Sequence, residues 1–120
     1  MNFSSHIKAI ILFGSRAKGC ATESSDTDVA VLADRPLSND DENAIIQFVT
    51  SQVKQFEEKI DLIDLARASP LLQQSVATDG RLLWGDSVDF LRFRVLAWKR
   101  YLDTAKLRRA RENFLIKKYA

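Results

Sequence analysis

Two short apolar runs, IKAIILF over Ile7 to Phe13 and DVAVLA over Asp28 to Ala33, flank a polar stretch in this chain. That stretch begins with Gly14 and ends with Asp26-Thr27-Asp28. Runs this short, rich in β-branched residues and stopped by turn-forming residues, read as buried strands rather than helices. Gly14 ends the first run and Asp34, Arg35 and Pro36 end the second. Any fold built on them is a sheet whose strand ends carry the glycine and the carboxylates.

The remaining segments supply helices for that sheet. Ser38 followed by Asp41 forms a capping pair for a helix to roughly Phe56, with Ile45, Phe48, Val49, Val53 and Phe56 at helical spacing to cover one sheet face. Lys59 to Leu65 (KIDLIDL) is a third strand, and its alternation puts Asp61 and Asp64 on opposite faces. Ser69-Pro70 starts a helix and Gly80 stops it, framing Leu71 to about Thr78. Arg81 to Trp84 is expected as a short extra strand. From Asp86 or Asp89 one long helix runs to near the C-terminus, with Val88, Leu91, Val95, Trp98, Leu102 and Ala105 spaced alternately by three and four. A second row, Phe90, Phe93, Ala97 and Tyr101, widens its apolar face. The order predicts an α/β or α+β domain, a small mixed sheet with flanking helices and a long C-terminal helix.

A length of 120 residues gives room for one core, so residues 1–120 are expected as a single domain with a core at about 7–85 and a basic helix at about 86–118. Hydrophobic residues at 46% and charged residues at 28% exclude a disordered or collagen-like chain. No apolar run is long enough for a membrane span or a signal peptide, which sets the expectation of a cytoplasmic protein. The lone Cys20 and lone His6 exclude an internal disulfide and a Cys/His zinc site, and apart from a use of His6 alone, which is not expected, no histidine chemistry is open to the chain. His6 is read as solvent-facing. The chemistry therefore falls to carboxylates, hydroxyls, cations and a recruited metal. Residues 1–85 carry a net charge of −4 and residues 86–120 one of +6. An acidic body suits cation binding, and a basic helix suits an acidic partner or a nucleic acid; charge alone decides neither.

Asp26 and Asp28 alternate onto one face of an extended segment, and with Asp61 they form a carboxylate group beside the glycine turn. Like charges held together are stabilised by a divalent cation, and oxygen-only ligands favour magnesium or manganese. Gly14 lets the backbone approach a phosphate closely, Ser15 and a following helical turn donate hydrogen bonds, and Arg16 and Lys18 add cationic contacts. Such a set fits phosphoryl or nucleotidyl transfer, with Asp61 sharing a metal ion and taking the nucleophile's proton. The turn has neither the Lys-Ser/Thr of a P-loop nor the spacing of a dinucleotide-binding loop.

FGSRAKG followed by SSDTDVAVL resembles the minimal nucleotidyltransferase domains of the DNA polymerase β superfamily, with G-S, about ten residues, then D-x-D. The resemblance implies a polymerase-β-like fold. It implies Gly14, Ser15, Asp26, Asp28 and Asp61 as site residues, Asp64 as structural, two magnesium ions and ATP as substrate. SPLLQQSVATDGRLLWGD and the helix after it resemble the antitoxin subgroup encoded beside HEPN-domain RNase toxins. That likeness implies a HEPN toxin partner and transfer of AMP to its tyrosine. Members of the family usually have a helix before the first strand, where only Met1 to His6 stand here; a thinner core or a sheet open to a partner is expected. The alternatives are an antitoxin that masks its toxin without catalysis and, third, a small-molecule transferase. The basic segment Lys106 to Asn113 reads as a solvated helix face or a contact for an acidic protein; direct nucleic-acid binding is not expected, since no aromatics interleave the cations.

Overall fold

The computed structural model describes residues 3–14, 26–53 and 59–119. The turn expected from Ser15 to Ser25, with Cys20 in it, and the end of the first helix near Phe56 lie outside these residues. Four strands form one sheet: β1 (Ile7–Phe13), β2 (Thr27–Ala33), β3 (Ile60–Asp64) and β4 (Arg81–Gly85), in the spatial order β3-β2-β1-β4. β1 pairs antiparallel with β2 and with β4, and β2 pairs parallel with β3. A parallel neighbour needs a crossover, which holds α1 (Asn39–Val53). A 3₁₀ turn (Leu65–Arg67), α2 (Pro70–Asp79) and α3 (Ser87–Tyr119) complete the order. The strand expected at Arg81 is thus β4, a partner of β1. The sheet is mixed and helices flank it, as the order of segments predicts.

Strand alternation divides the core into two layers. Ile10, Leu12, Val29 and Val31 face α1 and pack with Ile45 and Val49. Ala9, Ile11, Phe13 and Ala30 face the other way, toward Val76 and Ala77 of α2 and Phe93 and Ala97 of α3. Ile10, Ile11, Val29 and Val31 have no exposed surface, and each buried aliphatic chain of this kind contributes about 1.5–3 kcal/mol.

Helix caps follow the sequence closely. Ser69 Oγ accepts from the Leu72 N–H, Pro70 fills the first turn, and the Gly80 N–H closes on the Val76 carbonyl. At α1 the Asp41 N–H donates to Ser38 Oγ (3.1 Å) while the Ser38 N–H donates to Asp41 Oδ2 (3.0 Å), a reciprocal cap with Asp in the place usually held by Glu. Here one expectation fails. His6 is not solvent-facing: its side chain is 12% exposed, and its Nε2 lies 2.8 Å from Asp41 Oδ2. Ser4 Oγ donates to Asp41 Oδ1 (2.9 Å). A carboxylate that caps a helix 35 residues away draws the N-terminal segment onto the body, which periodicity around His6 cannot reveal.

These donors, the Ser38 N–H foremost, pull the Asp41 carboxyl down from 3.8 to about 2, against the opposing effect of burial. A carboxyl whose folded pKa is depressed adds stability that is present above 3.8 and lost as pH falls through about 2. Asp41→Asn is therefore expected to melt below the native chain at pH 7, with the loss of a helix cap costing about 1 kcal/mol. The gap should shrink as the solution is taken from pH 3.8 to about 2. Denaturant titrations across that range check it; a gap that stays constant would refute an ionic role for Asp41.

The long helix begins at Ser87, within the expected bounds, but its two apolar rows divide otherwise than their order of prominence in the sequence. Phe93 and Ala97 of the second row enter the core, with Phe90 packed beside them. Val88, Leu91, Val95, Trp98 and Leu102 of the first row stay exposed. Arg94 Nε donates to the Ala77 carbonyl and Arg100 Nη1 to Gln73 Oε1, and these bonds fix which side turns inward.

Candidate active site

The carboxylates gather at one end of the sheet because of strand register. Asp28 is opposite Phe13 across the antiparallel β1–β2 pair and opposite Asp61 across the parallel β2–β3 pair. Paired residues in a sheet point to the same face. Asp28 shares its face with Ala30, and Asp61 shares its face with Ile63; both faces look toward α2 and α3. Asp26 stands two residues ahead of Asp28 and is exposed. Between them Thr27 is fully buried, so the middle residue of Asp-Thr-Asp anchors the strand while the acids on either side stay accessible.

Gly14 closes the other side. It leaves β1 with φ +76°, and a Cβ added there would run into Oδ2 of Asp28. Only glycine combines the left-handed conformation with so close an approach. Asp28 is the least exposed acid of the group. Burial raises its pKa from 3.8, and the charges of Asp61 and then Asp26 raise it further. An acid whose ionised form is disfavoured on both counts is a receptive place for a cation.

The three acids do not close into a finished cage: among the described residues no group of three or more His, Cys, Asp or Glu side chains is arranged to hold a metal ion. Magnesium needs less than that. It binds through one or two carboxylates together with substrate phosphates and waters, and Asp28 with its neighbours matches that demand. Ser15, Arg16 and Lys18, expected to hold phosphates, lie outside the described residues. Asp64, on the opposite alternation from Asp61, accepts from the Ala66 N–H (3.1 Å) and caps the 3₁₀ turn, in agreement with a structural part. Arg81, which the motif did not single out, opens β4 opposite Leu12 at the same end of the sheet, but on the face toward α1 and away from Asp28 and Asp61. Its only sequence signal was its place at the start of an apolar strand. A cleft of about 400 Å³ beside Lys8, Asp34, Gln73 and Arg100 belongs to the opposite end of the strands and is separate from this site.

A glycine turn packed against Asp28, with Asp61 beside it in register on a mixed sheet backed by helices, is the arrangement of a nucleotidyltransferase domain. The chain belongs to the polymerase beta nucleotidyltransferase family, whose profile matches residues 2–89. It is 39% identical over 83 residues to the protein adenylyltransferase MntA of Shewanella oneidensis, a match covering 69% of this chain and 58% of that protein. The chain thus spans under two thirds of that relative. Its fold is similar to a crystal structure of a toxin-antitoxin with AMP-PNP, with TM-score 0.72, 33% identity, and coverage of 94% of this chain and 89% of the other. It is also similar to a structure of the tri-AMPylated Shewanella oneidensis HEPN toxin in complex with MNT antitoxin, with TM-score 0.65, 31% identity, and coverage of 94% and 86%. No described helix is long and apolar enough to cross a membrane.

Proposed function

We propose that this chain is an antitoxin that transfers AMP from ATP to a hydroxyl, that of a tyrosine, on a partner HEPN toxin and so neutralises it in the cytoplasm. The carrying observation is the meeting of Asp28 and Asp61 in register, with Gly14 packed against Asp28. The adenylyltransferase relative and the complex with an AMPylated toxin support the same reading.

Asp26, Asp28 and Asp61 are the residues that would hold magnesium, two ions in the family's manner. Bound there, magnesium would offset the triphosphate charge and make the attacking hydroxyl more acidic. Gly14 lets the backbone come up to the phosphates, and Ser15, Arg16 and Lys18 donate to their oxygens. The acceptor oxygen forms a bond to the α-phosphorus as the bond to pyrophosphate breaks, and Asp61 takes the hydroxyl proton. Positioning and charge neutralisation do most of the work in such transfers.

Intact-mass measurement of the toxin after incubation with this protein, ATP and magnesium tests the reading. Gain of one or more AMP units is expected. An inhibited toxin of unchanged mass, in a stable complex, would replace transfer with masking.

A further inference from the structure

The outward side of α3 has the geometry of a coiled-coil seam without a second helix. Val88, Leu91, Val95, Trp98, Leu102 and Ala105 alternate by three and four over nearly three heptads, the spacing at which one helix buries a stripe against another. The stripe is bare: Val95 is 64% and Leu102 55% exposed. Trp98, edge-on to Tyr101, stands with Val95 and Leu102 along a groove of about 440 Å³. Meanwhile α3 is already fixed to the body by Phe93, Ala97, Arg94 and Arg100. The seam is therefore surplus to the fold, and contiguous exposed apolar surface of this kind marks an interface.

Charge decides between occupants. Arg92, Lys99 and Lys106 recur every seven residues along one flank of the stripe. A second copy laid antiparallel would set this flank against itself. Laid parallel, it would set the flank against the other edge, which carries Arg94. Like charges across the flanking positions oppose both pairings. An amphipathic helix with Asp and Glu beside its apolar stripe meets cations along that edge, and the +6 charge of residues 86–120 draws such a surface in.

We propose that the outer seam of α3 docks an acidic-flanked amphipathic helix of the protein substrate, holding that substrate while the carboxylate site acts on it. The identity of this partner as the toxin rests on the adenylylation reading; the chemistry of the seam does not. The first probe is a labelled peptide about four heptads long, with leucine on the seam and glutamate on the flanks, compared with the same peptide carrying lysine on the flanks. The glutamate peptide is expected to bind the full chain and to weaken with salt, and the lysine peptide to stay free. Trp98→Ala should weaken binding about 30-fold, the effect of a central aromatic anchor. Leu91→Glu/Leu102→Glu should abolish binding while leaving ATP binding and the melting curve unchanged. Equal binding of both peptides, no binding of the glutamate peptide, or a native dimer that the double variant dissolves would each overturn the proposal. With the toxin itself, the double variant should lose the complex; an undiminished complex overturns the proposal. A native chain that docks the toxin but transfers no AMP overturns only the adenylylation reading.

Discussion

Asp26→Asn/Asp28→Asn is expected to lose AMP transfer by about three orders of magnitude or more, because charge neutralisation at a phosphoryl centre supplies most of the acceleration, and yet to fold at least as firmly as the native chain. The second half follows from the raised pKa of Asp28, caused by burial and by the charges of Asp61 and Asp26. A carboxyl whose folded pKa lies above its unfolded value binds more protons in the folded state. It therefore takes stability away as pH rises through and beyond that value. Asparagine removes this repulsion without removing volume. At neutral pH, without magnesium, the double variant should melt above the native chain, and near pH 3.8 the two should converge. Added magnesium should raise the native melting temperature and leave the variant's in place. Activity retained by the variant, or a lower melting temperature at neutral pH, would contradict the assignment. Complex formation with the toxin should persist in this variant, which distinguishes it from variants on α3.

Gly14→Ala is expected to be costly in both respects. At φ +76° an alanine carries a backbone penalty of about 1–2 kcal/mol, and its methyl group would occupy the place of Asp28 Oδ2. Either the β1 exit or the Asp28 carboxylate must give way. Displacement of a reacting or positioning group by about 1 Å is enough for a 100-fold loss, so transfer should fall by about that factor. Denaturant unfolding and AMP transfer measured on the same preparation check this. Full activity in Gly14→Ala would mean that the Asp28 carboxylate can move freely.

Much of this architecture was legible in the sequence for reasons that lie in particular residues. β1 ends where Gly14 forces a turn, α2 is framed by Ser69-Pro70 and Gly80, and strand alternation alone separates Asp61 from Asp64. The acids were recognisable because Asp-Thr-Asp opens an apolar strand at a fixed distance from a glycine. Local pattern says nothing of partners remote in sequence. The burial of His6 is not readable locally because its neighbour Asp41 belongs to the helix of the crossover, 35 residues on. The side of α3 that turns inward was not readable either, because both its rows are apolar and the choice is made by Gln73 and the Ala77 carbonyl on α2.

β3 has a consequence of its own for how the protein fails. It is five residues long and stands at the margin of the sheet, paired among the described residues with β2 alone. Margins of this kind come loose by local fraying at far smaller free energy than it takes to dissolve a core. Asp61 resides on that margin, whereas Asp28 is on an inner strand. Gentle warming or dilute denaturant is therefore expected to pull Asp61 away from Asp28 while the rest of the molecule is still intact, and the helical surface of α3 should outlast that pairing.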